Sequence, residues 1–189
     1  MKHSLPTRLL HFLMFVTLIF QLVGALFMLI PEPYGATGDF GYRLHENVGL
    51  ASLAIIGGFW LWMFVRRARG TAVGALIPWF SRVRIKAVIA DLWVYFKALK
   101  AGELPSTQTE SPFASAVHGL GLLTATALAA TGGALYVLMG ANGSLSFAGE
   151  LVLSLHSDFG NLMWTYLFAH AGLALLHQLK GHGTLQKIF

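Results

Sequence analysis

The chain has no cysteine at all. That excludes disulfides, covalent haem attachment through a C-x-x-C-H motif, cysteine-held iron–sulfur clusters and thiolate-ligated haem. Charge is scarce as well: 11% of residues are Asp, Glu, Lys or Arg against 56% hydrophobic, where a soluble domain carries roughly a quarter charged residues. Four stretches have no charged residue: Leu9 to Ile30, Asn47 to Val65, Ser111 to Gly149 and Phe159 to Leu179. Each is long enough to cross a hydrocarbon core of about 30 Å, the third with its flanking loops included. The expectation is an all-α integral membrane four-helix bundle, one domain over 1–189, with helices at about 9–30, 44–65, 113–139 and 148–178. The first apolar stretch is too long for a signal-peptide core, and a polar turn follows it rather than a small-residue cleavage site.

The net charge of +5 reads as topology and not as nucleic-acid binding. Lys2 and Arg8 precede the first helix, eight basic residues from Arg66 to Lys100 fill the connection between the second and third, and Lys180 and Lys187 follow the fourth. Twelve of the 13 basic residues thus fall on one side, which the positive-inside rule makes cytoplasmic, with both termini. Arg43 alone lies opposite. The turn over 31–43, rich in Pro and Gly, faces outward. The inner connection, 66–112, is too long for a simple link. Ile85, Val88, Ile89, Leu92, Tyr95, Phe96 and Leu99 recur there at helical spacing, so 81–100 reads as an amphipathic helix on the inner membrane surface or on a partner protein.

Histidines carry the chemistry. His156 and His170 stand fourteen residues apart on the fourth span, an advance of about 21 Å in nearly four turns, so they share a face at two depths. His11 opens the first helix on the inner side, and His45 opens the second on the outer side. Charge-derived topology therefore pairs His11 with His170 and His45 with His156. Each pair can clamp one haem iron, because an intramembrane histidine can stay neutral and the neutral imidazole is the ligating form. Gly24 and Gly58, each thirteen residues after a ligand histidine, let a porphyrin approach the backbone or serve ordinary helix packing. Gly119 and Gly132 offer one small site at each depth of the third span.

His118 and His177, both on the inner side, can ligate, contact a haem propionate, aid proton exchange at a quinone site, or simply sit at the interface. Arg8 and Arg43 are candidates for propionate contact or plain flanks. Trp60, Trp62, Trp79 and Trp93 read as interface anchors, and His3 and His182 as solvated terminal residues.

The runs RLLHF at 8–12, LHENVGLASL at 44–53, LHSDFG at 155–160 and AHAGLALLHQ at 169–178 resemble the bacterial di-haem cytochrome b group. That group includes the cytochrome b561 type, the cytochrome subunit of nickel–iron hydrogenases and the gamma subunit of respiratory formate dehydrogenase. The resemblance spans nearly the whole chain. It implies two non-covalent bis-histidine haems b on His11, His45, His156 and His170, electron exchange with membrane quinone, and a place in the bacterial inner membrane. The second helix departs from stand-alone members, having Gly57, Gly58, Phe59 and Trp60 where a charged residue is often seen. The long inner connection looks more like the subunit branch, with an iron–sulfur or cytochrome protein as partner. Two other readings compete. One is a stand-alone oxidoreductase passing electrons between a small outer substrate, such as superoxide, and quinone. The other is a non-redox anchor or metal transporter, against which stands the absence of carboxylates from the helix cores.

Overall fold

The computed structural model describes residues 3–31, 38–70, 73–105, 111–139 and 144–188. Lys2, Glu32 and the centres of both outer turns lie outside the described residues, as does the side chain of Lys187. Among the described residues all regular structure is helical: α1 (Leu5–Gly24), α2 (Phe40–Ala68), α3 (Arg82–Lys100), α4 (Pro112–Leu138), α5 (Phe147–Leu179) and α6 (Leu185–Ile188), with two 3-10 turns, Val73–Leu76 and Pro78–Phe80, between α2 and α3.

Local chemistry sets the ends. Asp39, Ser81, Ser111 and Ser146 cap α2, α3, α4 and α5, each side chain accepting a hydrogen bond from a backbone N–H of the first turn. Pro6 and Pro112 occupy first-turn positions where a missing N–H costs nothing. Gly70 (φ 83°) and Gly181 (φ 78°) follow α2 and α5 in the left-handed conformation that closes a helix. The first helix ends at Gly24, six residues before the expected Ile30, and the chain turns through Ala25–Phe27 instead. Asp39 holds that turn through the Leu29 N–H at 3.2 Å.

α1, α2 and α4 are long and apolar enough to cross a membrane. α5 is the longest helix, 33 residues, but is not among those spans. Ser154, His156, Ser157, Asp158 and Asn161 sit close together in its first half and dilute its hydropathy.

The helices pack in the order α1–α2–α4–α5. A small core of Leu22, Ile56, Ala125, Leu128 and Met163 draws on all four. Trp60 donates to Thr126 Oγ1 at 3.0 Å, joining α2 to α4, and Trp62 donates to Thr7 Oγ1 at 2.9 Å, joining α2 to α1. Both indoles thus tie helices together, which exceeds the anchoring role read from sequence. Arg8 donates to the Ile188 carbonyl at 3.4 Å, so the two ends of the chain meet at one end of the bundle.

Ser81 to Lys100 folds as the amphipathic element expected. Ile85, Val88, Tyr95 and Ala98 turn a half-buried face to the protein, with Tyr95 packed on Phe113. Ile89, Leu92, Trp93, Phe96 and Leu99 remain exposed. Asp91 secures the helix to the N-terminus of α4, accepting from the Ser111 hydroxyl and from the Phe113 N–H at 3.0 Å. Gly119 has a different role from the one expected. The Leu76 carbonyl of the first 3-10 turn occupies the place of its absent Cβ, so this glycine admits the inner connection and not a flat ligand.

Candidate haem-binding site

α5 makes its most extensive backbone packing with α4, and meets α1 and α2 through the side chain of Met163 in the shared core. The histidines gather at two levels along α5, called outer and inner after the orientation expected from the basic residues.

At the outer level the ring centroids of His45 and His156 are 6.3 Å apart, their planes crossing at 87°. Two imidazoles on opposite sides of one metal ion, each about 2 Å from it through nitrogen, have centroids about 6 Å apart. The pair is spaced as a bis-imidazole clamp without any movement of the backbone. The backbone of His45 and the ring of His156 are further held. Gln21 of α1, itself buried, donates to the His45 carbonyl at 2.9 Å, and only a glycine at 49 leaves room for that amide. The His45 Nδ1 is buried without a hydrogen-bond partner. His156 Nδ1 lies 3.0 Å from the Thr131 hydroxyl, and its Cε1 would sit 3.0 Å from a Cβ at Gly132. Gly132 is thus a small site at the outer level, and what it admits is the imidazole of His156.

At the inner level three imidazoles converge. His118 meets His170 edge-on at 5.1 Å, and His11 lies within electrostatic reach of both. Tyr166 stacks on His170 at 5.2 Å, nearly parallel at 10°; its ring fits only because residue 121 is glycine. His118 thus sits beside the expected His11–His170 pair.

Further along α5, His177 is 7% exposed and shares a hydrogen bond with His182, Nδ1 to Nδ1, at 2.8 Å. His182 is consequently a partner of His177, not the solvated terminal residue expected. A Cβ at Gly24 would meet nothing within 4 Å, and one at Gly58 only Leu10 at 3.7 Å. Arg43 is exposed on α2, one turn from Asn47, which donates to its carbonyl at 2.9 Å.

Three residues of the site escaped sequence reading: Thr131, Gln21 and Tyr166. Gln21 had a signal, being the one amide in an uncharged span. Thr131 had only its adjacency to Gly132.

Among the described residues no group of three or more His, Asp or Glu is placed to hold a metal by itself. Each level offers imidazoles and no carboxylate, the donor set that suits an iron whose remaining ligands come from a macrocycle.

The family model of prokaryotic cytochrome b561 matches residues 2–189. The chain belongs to that family. Membership brings transmembrane electron transfer by a cytochrome b, and haem b is what members typically bind. No match appears among curated proteins or among solved structures.

Proposed function

We propose that this cytochrome is a transmembrane electron conduit of the bacterial inner membrane. In this reading α1, α2, α4 and α5 all cross, both termini are cytoplasmic, and two haems b are held by His45 with His156 and by His11 with His170. The conduit exchanges electrons with membrane quinone as the membrane subunit of a respiratory redox complex. The 6.3 Å, perpendicular placement of His45 and His156 carries the reading. Support for the orientation comes from the twelve-to-one distribution of basic residues. A crossing α5 follows from its two histidines, about 21 Å apart along the helix, each meeting a different set of partners.

When bound, each haem supplies a one-electron iron centre whose potential the protein tunes. The chain contributes the rest. His45 and His156 come from different helices, α2 and α5, so each can grip from its own side. Gly24 and Gly58 leave open backbone. The core around Met163 and Ile56 excludes water between the two levels. At the inner mouth, His118, Ser115 and the His177–His182 pair provide polar groups that can take up or release the protons of a quinone.

Reconstitution tests this. Purified protein in liposomes should show its haem b bands reduced by a quinol supplied in the membrane, and reoxidised by an impermeant acceptor outside. Bands unresponsive to quinol would reject the quinone link. A family match described as cytochrome b561 also favours a stand-alone oxidoreductase serving a small outer substrate. Purification from native membranes separates the two: a stoichiometric soluble redox subunit marks the first, a bare cytochrome the second.

A further inference from the structure

The Thr131 side chain has a single hydroxyl proton and three neighbours for it. Its Oγ1 lies 2.8 Å from the Ala127 carbonyl, 3.0 Å from the Leu128 carbonyl and 3.0 Å from His156 Nδ1. Carbonyl oxygens only accept, and a threonine in a helix ordinarily donates to the carbonyl one turn back. The proton is therefore spent on the backbone of α4, and a lone pair of the hydroxyl faces His156. The nitrogen opposite that lone pair is the donor, and the Leu128 carbonyl, which also hydrogen-bonds the ring, calls for the same proton. His156 is thereby fixed as the Nδ1–H tautomer, with the lone pair on Nε2. Gly132 leaves space for Cε1, which a Cβ at that position would meet at 3.0 Å.

We propose that Thr131 is a positioning residue for the outer metal-binding pair: together with the Leu128 carbonyl it fixes the tautomer of His156, presents Nε2 to iron and, by accepting a hydrogen bond from Nδ1–H, raises the basicity of that ligand. The inference rests on His45 and His156 holding a haem, and names a residue of α4, a helix that supplies no ligand to that pair. Partners of this kind commonly change metal affinity by about 10–100-fold when removed. A more basic axial imidazole favours ferric over ferrous iron, so losing the acceptor weakens that preference.

The test is Thr131→Val, which keeps the shape and removes the hydroxyl, read by potentiometric titration of the two haems and by low-temperature electron paramagnetic resonance of the oxidised protein. Expected is a positive shift of one midpoint only, corresponding to about a tenfold loss of ferric preference, ~59 mV for one electron, with a changed ferric signal for that haem. Thr131→Ser should restore both. Two unshifted midpoints in a Thr131→Val protein that retains both haems would overturn the proposal. Should the valine variant fail to assemble, Thr131→Ala against Thr131→Ser decides: a shift in alanine alone supports it, and equal behaviour of the two overturns it. Wild-type protein without haem at all would instead reject the haem reading and leave the hydrogen bond as a packing feature.

Discussion

Single side chains in this molecule have separable roles, and the clearest are the two histidines of α5. His156 meets His45 and Thr131, while His170 meets His118 and Tyr166. Replacing His156 by Ala should remove one haem and leave the other's spectrum intact, and His170→Ala should do the converse, checked by haem quantification on each folded variant. Loss of both from either variant contradicts independent levels. Gly132→Ala probes the same site sterically. Its Cβ would press on His156 at 3.0 Å, so the outer haem's absorption band should broaden or shift while the inner one stays put. Gly119→Ala acts elsewhere. The Leu76 backbone has to withdraw, and a cost of about 1–3 kcal/mol from overpacking should appear as a lower Tm with both haem bands unchanged until unfolding. The meeting of His45 with His156 was legible in the sequence because depth follows from charge asymmetry and helix rise. Thr131 was not, since a threonine in an apolar helix looks alike whether it bonds only its own backbone or a ring 25 residues on. Nor was the approach of His118 to His170, which depends on how α4 turns against α5.

Among the elements, α3 shows how far pattern reading goes. Its 3.6-residue periodicity disclosed a helix over 81–100, and the structure returns one over Arg82–Lys100 with Ser81 as its cap. Hidden from the pattern was the connection to α4, because Asp91 reads as one more charge on the polar side. Its carboxylate instead takes two donors at a helix N-terminus, where negative charge is favoured. Asp91→Ala should cost about 1–2 kcal/mol, within the range for lost caps, measured by thermal unfolding in detergent; an unchanged Tm would show the cap to be dispensable. The opposite, exposed strip contains Trp93 and Phe96 packed edge to face, flanked by Arg82, Lys86, Lys97 and Lys100. It has the composition of a helix lying in a headgroup layer. Brominated lipid should quench the Trp93 contribution, defined by comparison with Trp93→Phe, and more strongly when anionic lipid is present. Quenching equal in the two proteins would place Trp93 outside the lipid.

At the scale of the whole molecule, the arrangement follows from a division of labour among helices. α4 is the structural centre: it packs on α2, α3 and α5 and contributes Ala125 and Leu128 to the core. α5 packs mainly on α4 and brings its imidazoles to two levels. The four-segment organisation was legible as four charge-free stretches. The short first helix and the 3-10 connector over Val73–Phe80 were not, since both depend on backbone packing and no periodicity marks them. The polar first half of α5 is also where His156 meets His45.

The most direct test of the haem assignment is the number and spin state of haems per chain. Pyridine haemochrome quantification against protein concentration, with electron paramagnetic resonance of the oxidised protein, should give two non-covalent haems b, both low-spin with two nitrogen ligands. A ratio of one or none, or a high-spin signal from an open coordination position in intact protein, would contradict it.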